Sequence, residues 1–259
     1  MNIFDANRAA WDHAVEDDNP YSRAVTSELV AAARDGHWEI FLSDKRPVPT
    51  SWFPELRGAR VLCLASGGGQ QAPILAAAGA RVWVLDASLR QLAQDRFVAE
   101  RDDLELATVE GDMADLSAFD NASLDLIVNP VSTLFVPELD PIWAECGRTL
   151  RPGGVLMTGF LNPDEFVFDP DALDNEGRFV VRYRLPYVQL ATLDKGQIAD
   201  RRRNCQMFHF SHTMEAQLGG ILRAGFVVTD FFEDHRPDSD QNPIRDFMPS
   251  YFVLRAEHR

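Results

Sequence analysis

From Asn2 to about Gly36 the apolar positions recur at helical spacing. Phe4, Ala9, Ala10, Trp11 and Val15 share one face before Asn19-Pro20 ends the segment. A second helix is expected from Ser22 to Arg34, and Pro47, Pro49 and Pro54 make an extended link to Arg60. There the period changes. Short apolar runs at Arg60 to Ala65, Arg81 to Asp86, Leu104 to Val109, Leu124 to Asn129 and Val155 to Leu161 alternate with amphipathic stretches. All but the third are nearly continuous, as parallel strands covered on both faces should be. The intervening helices carry their own punctuation: Pro73 in a first turn, Gly79 at an end, Ser88 as a cap, and Pro141 at the start of a helix to Leu150.

The alternation stops from Asn162 to about Phe208, where two further strands, Arg178 to Leu185 and Asn204 to Phe210, are expected within an insertion. It resumes with a helix from Thr213 to Ala224 and strands at Phe226 to Phe232 and Tyr251 to Ala256. The pattern predicts an α/β fold with a Rossmann-like, doubly wound, seven-stranded sheet, an N-terminal helical lid and an insertion after strand five. A single domain over residues 1–259 is expected: lid 1–56, cofactor-binding core 57–161, substrate-covering insertion 162–208 and the remainder of the sheet 209–259.

Composition narrows the partners. The 25 basic against 40 acidic residues leave a net charge of −15, which repels a phosphate backbone and argues against nucleic acid as substrate. No apolar run reaches the length of a membrane span, and the first residues lack a cationic start followed by an apolar stretch, so no membrane association and a cytoplasmic location are expected. Cys63, Cys146 and Cys205 are far apart and out of metal-ligand spacing; they read as apolar side chains, and no metal site is expected. Arg201-Arg202-Arg203 reads as a solvated face and receives no role.

The chemistry gathers where strand one breaks into Ser66-Gly67-Gly68-Gly69-Gln70-Gln71-Ala72 and enters a helix. Glycines let the backbone approach a ligand, and the first amides of the helix point at it. The run satisfies G-x-G-x-x-G/A, and Asp86 ends strand two nineteen residues beyond Gly67, placed to accept from ribose hydroxyls. These two signals suit NAD and S-adenosylmethionine equally. Gly111-Asp112-Met113 after strand three sets a carboxylate beside an apolar side chain, suited to an adenine amine and ring, and Leu150-Arg151-Pro152-Gly153-Gly154 leads into strand five.

In that order the motifs resemble the class I S-adenosylmethionine-dependent methyltransferases, over roughly Arg57 to Phe160 and more weakly beyond. Leu62 to Gln71, Asn129-Pro130-Val131-Ser132 and Phe210-Ser211-His212-Thr213 are similar to a bacterial subgroup of these enzymes. The resemblance implies Ala65, Ser66, Gly67 and Gly69 along the methionine and ribose of the cofactor and Asp86 on the ribose hydroxyls. It also implies Ala87 and Met113 flanking adenine, Asp112 at its amine, and Asn129-Pro130 where the methyl is delivered. The sequence departs from the family at Cys63, where an acid is common, and at Ala65, where glycine is common.

The resemblance leads to methyl transfer from S-adenosylmethionine, leaving S-adenosylhomocysteine, to an O, N, S or C nucleophile of a small-molecule acceptor. An NAD-dependent oxidoreductase and a non-catalytic S-adenosylmethionine-binding protein stand as alternatives. His209 and His212 lie near a strand end, and His212 is the candidate proton acceptor, set against a local capping role. Phe166, Phe168, Phe179, Tyr183 and Tyr187 supply either an acceptor pocket or a small core beneath the insertion.

Overall fold

The computed structural model describes residues 2–240 and 242–259. Helix α1 spans Ile3–Glu16, and a short 3-10 turn at Pro20–Ser22 separates it from α2, Ser27–Arg34. The second helix starts five residues later than expected because Asn19 caps the 3-10 turn and Thr26 then caps α2.

The core follows as β1 (Arg60–Leu64), α3 (Gln71–Ala77), β2 (Arg81–Asp86), α4 (Leu89–Asp102), β3 (Leu106–Glu110), β4 (Leu124–Asn129), α5 (Asp140–Thr149) and β5 (Leu150–Leu161). The insertion holds α6 (Pro170–Glu176) and α7 (Lys195–Arg203); α8 (Gly220–Arg223), β6 (Phe226–Asp234) and β7 (Tyr251–His258) complete the chain. The sheet order is β3-β2-β1-β4-β5-β7-β6. Strands β1 to β5 pair in parallel, and β7 runs antiparallel between β5 and β6. The order reverses between β1 and β4, so a crevice forms at their carboxyl ends.

Alternate strand residues feed two cores. Val61, Cys63, Val82, Val84, Val128 and Met157 pack under α3 and the N-terminal segment through Ile40, Leu42 and Trp52. Leu62, Leu64, Leu85, Ile127 and Leu156 pack on the other face against Ile142, Trp143 and Cys146 of α5 and Ile221 of α8. Burial pushes the Cys63 and Cys146 thiols well up, which fits the apolar reading of both.

Three expected elements differ. Strand β5 begins at Leu150, pairing with Leu124, so Leu150 to Gly154 is part of the strand run. The two strands expected in the insertion reduce to isolated bridges, Phe168 to Val181 and Val188 to Phe210. Their alternation reflects aromatic pairs, Phe168 on Phe179 at 5.4 Å and Tyr183 on Tyr187 at 4.9 Å, instead of a ladder. The helix from Thr213 opens with a π-helical turn at Glu215–Gly219, where Gln217 turns inward and donates to Thr133 Oγ1 at 3.1 Å.

Candidate active site

At the carboxyl end of β1 the chain leaves the sheet abruptly. Ala65 takes φ +47°, and its N–H donates to the Leu85 carbonyl at 2.8 Å, which holds the exit against the end of β2. Gly67 N–H donates to Asp86 Oδ2 and Ser88 N–H to Oδ1, each at 2.9 Å. Burial raises the Asp86 pKa, and the two amide donors oppose that rise.

A cavity of about 1720 Å³ opens over this corner. Ala65, Ser66, Gly67, Asp86, Ala87, Asp112, Met113 and Pro130 all line it. Asp112 is fixed by accepting from Ala114 N–H at 2.9 Å, and Met113 is buried with its sulfur 3.8 Å from Ser132 Oγ. Phe166, Phe168, Tyr183, Tyr187 and His209 line the part of the cavity under the insertion. Phe179 is not among the lining residues; it packs on Phe168 and Phe247.

The cavity is roofed by the N-terminal residues. Trp11 of α1 lines it and meets Phe135 edge-on at 5.2 Å. Asn7 pins the helix, donating to the Phe135 and Phe208 carbonyls and accepting from Phe208 N–H at 2.7 Å. Asp12 accepts from Ser88 Oγ at 2.6 Å, Gln91 donates to Ser22 Oγ at 2.6 Å, and Gln70 donates to the Pro20 carbonyl at 2.9 Å. The N-terminal residues are therefore tied to the glycine turn and to the start of α4 by side chains that are spread along the sequence.

Three expected site residues do not line the cavity. Gly69 does not line the cavity: it takes φ +71°, and a Cβ there would stand 2.9 Å from the Gln94 carbonyl oxygen of α4. It serves close packing of the turn on the helix. Asn129 is buried and ties three strand ends together, donating to the Leu64 carbonyl and Ser132 Oγ and accepting from Thr158 Oγ1 at 2.9 Å. His212, the expected proton acceptor, stands outside the cavity lining, and its Nε2 lies 3.0 Å from both the Thr133 and Val136 carbonyls. A carbonyl partner requires that nitrogen to carry the proton, which leaves Nδ1 as the acceptor of the neutral ring.

The turn's fit to an adenosyl ligand rests on its shape. Added Cβ atoms would meet Gln91 Cβ at 2.7 Å from Gly67 and the Tyr21 carbonyl oxygen at 2.9 Å from Gly68. Only a chain without side chains can pass this close to α4 and the N-terminal segment while its Gly67 and Gly68 amides are held by Asp86 and Asp95.

The methyltransferase domain family matches residues 62–158. Across 235 residues, 90% of this chain and 92% of the relative, the sequence is 45% identical to the uncharacterized methyltransferase YbaJ of Bacillus subtilis (strain 168). The chain is a class I S-adenosylmethionine-dependent methyltransferase. The cypemycin N-terminal methyltransferase of a Streptomyces species is 36% identical over 115 residues, covering 43% of this chain and 45% of that one. The crystal structure of an S-adenosylmethionine dependent methyltransferase from Mesorhizobium loti has the same fold, with a TM-score of 0.63 at 20% identity over 80% of this chain and 94% of that one. The methyltransferase assignment sets aside both the oxidoreductase and the non-catalytic alternative. Among the described residues no helix is long and apolar enough to cross a membrane, and no cluster of side chains could hold a metal ion.

The departure at Cys63 has a structural counterpart. Asp95, on the buried face of α4 with Leu92 and Val98, accepts from Gly68 N–H at 3.1 Å, and the Gly69 amide adds to its hold. A carboxyl from the helix thus supports the turn of this methyltransferase from the outside. Its second oxygen has no partner, and burial, with Asp86 nearby, pushes its pKa up to about 8.

The native state therefore holds a proton that the unfolded chain releases near pH 4, so this group's contribution to stability falls as pH rises from about 4 to about 8. Asp95→Asn keeps the acceptor and removes the titration. The Tm of wild type relative to this variant should fall between pH 5 and 8; a constant difference would show Asp95 ionised throughout.

Proposed function

We propose that this methyltransferase transfers the methyl group to an O, N, S or C nucleophile of a small molecule bound under the insertion. The observation that carries the reading is a single continuous cavity of about 1720 Å³. Ligand pockets for one drug-sized molecule run to about 1,000 Å³, so this space accommodates a cofactor and an acceptor together. Ser66 and Gly67 would run along the methionine and ribose, Asp86 would accept from the ribose hydroxyls, Ala87 and Met113 would flank adenine, and Asp112 would take its amine. S-adenosylmethionine supplies a sulfonium-bound methyl group open to in-line displacement. The protein's part is alignment, exclusion of water and, where the nucleophile carries one, removal of a proton.

His209 fits that last role better than His212. It lines the cavity beside Phe135, at 5.6 Å between rings, and its ring nitrogens have no hydrogen-bond partner among the described residues. Burial and the neighbouring Arg201 push its pKa down to about 4, so at neutral pH it is the free base. A base this weak suits a nucleophile whose proton becomes acidic as its bond to the methyl forms. The lid and residues 162–208 would choose the acceptor.

The test is formation of S-adenosylhomocysteine from S-adenosylmethionine across a panel of small hydroxyl, amine, thiol and carbon nucleophiles. At least one should support turnover, and His209→Ala should lower kcat by about a hundredfold with cofactor affinity unchanged. Methylation of proteins alone would overturn the small-molecule reading, and full activity of the variant would remove His209.

A further inference from the structure

Four arginines line the cavity: Arg8, Arg23, Arg201 and Arg236. Arg8 reaches Asp5 at 3.3 Å, Arg23 pairs with Asp18 at 2.9 Å, and Arg236 pairs with Glu165 at 2.6 Å and Asp240 at 3.2 Å. Arg201 has no carboxylate partner among the described residues, in a chain with 40 acidic side chains to choose from. Its Nη2 donates to the Met207 carbonyl at 2.9 Å and its guanidinium stands over the Phe208 ring at 5.9 Å. Its Nε is buried with no acceptor.

A guanidinium offers five donors in a fixed fork, and leaving a buried donor unmade is costly. The charge is correspondingly disfavoured, since burial lowers the Arg201 pKa and no carboxylate stands against it among the described residues. A half-buried cation with an open fork on a cavity wall is complementary to a bidentate anion brought by the ligand.

The surroundings narrow the ligand further. Tyr187 stacks on Phe166 at 5.5 Å with 28° between the planes, Tyr183 lies 4.9 Å from Tyr187, and the His209 ring leans on Phe135. This apolar, ring-lined wall adjoins Arg201, which favours a flat ring attached to the anion over a bare inorganic ion. Resting on the reading of this space as the acceptor site, we propose that the acceptor is an aromatic acid whose carboxylate is held by Arg201 and whose ring lies among Phe166, Tyr187 and His209. The carboxylate would also neutralise the charge beside His209 and make it a better base once the acceptor is bound. The basic run at 201–203 then divides: Arg201 faces the ligand, while Arg202 and Arg203 remain on the solvated side.

The experiment is calorimetry on the protein saturated with S-adenosylhomocysteine, using benzoate, benzamide and inorganic phosphate as probes. Benzoate should bind wild type at least about tenfold more tightly than neutral benzamide, which is about 1.4 kcal/mol. Arg201→Gln should abolish that preference without changing benzamide or S-adenosylhomocysteine affinity, and Arg201→Lys should retain part of it. Equal binding of benzoate and benzamide, or a preference that survives Arg201→Gln, overturns the proposal. So does phosphate binding without benzoate binding, which would make the site one for a bare or phosphorylated anion. The parent reading fails separately, if S-adenosylhomocysteine itself does not bind to wild type.

Discussion

Gly67→Val should abolish S-adenosylmethionine binding while leaving a folded protein. A Cβ at this position would stand 2.7 Å from Gln91 Cβ and 3.1 Å from Asp86 Oδ2. The first contact is with an atom fixed to the backbone of α4, so relief must come from the turn. Moving the turn breaks the 2.9 Å bond from Gly67 N–H to Asp86 and displaces Ser66 and Gly67 from their places on the cavity wall beside that carboxylate. The branched side chain also takes up space that the resemblance gives to the ribose. The effect is confined to a cavity-lining turn, so thermal unfolding should remain a single transition. Calorimetry with S-adenosylhomocysteine checks the prediction, and wild-type affinity in the variant would place the ligand away from β1.

Gly159→Ala should be the most destabilising small change in the sheet. Gly159 sits in β5 opposite Val253 of β7, and the Leu42 backbone crosses it so closely that an added Cβ would stand 1.8 Å from the Leu42 carbonyl oxygen. A backbone atom cannot rotate away, so the N-terminal segment must lift from the sheet. Ile40, Leu42 and Val48, all buried in the core beneath that segment, lose packing with it. A loss of about 3 kcal/mol or more is expected, lowering the Tm by roughly 6–12 °C. A Tm within about 2 °C of wild type would mean that the segment does not cross β5 here.

The sheet was legible because its residues are dictated by burial on two faces. Continuous apolar runs such as Val61 to Leu64 and Leu126 to Val128 have few other uses, and glycine, proline and serine punctuate the helices between them. The insertion was not legible, since Arg178 to Leu185 alternates as a strand would while its side chains pair as aromatics and ions with no neighbouring strand.

At the site, the glycine turn, Asp86 and Asp112-Met113 follow strand ends and could be read in order. Gly69 and Asn129 carry the same motif positions but face α4 and the strand ends, a difference of direction that spacing does not encode. Asp95 received no reading from the sequence, and Arg201 was read as part of a solvated face. A carboxylate on the apolar face of α4, in step with Leu92 and Val98, was a visible signal of a buried acid. Arg201 had no such mark, because its lack of a partner depends on where forty carboxylates lie in three dimensions. The histidines were close in sequence and differ in placement: His212 Nε2 meets two backbone carbonyls, and His209 faces the cavity.

The central claim is that the corner between the ends of β1 and β2 holds the adenosyl group. A crystal structure of the protein with S-adenosylhomocysteine tests it most directly. The account predicts the ribose hydroxyls within hydrogen-bond distance of the Asp86 carboxylate and the adenine ring between Ala87 and Met113. A ligand seated among Phe166, Tyr187 and Arg201, with Asp86 making only its bonds to Gly67 and Ser88, would contradict it.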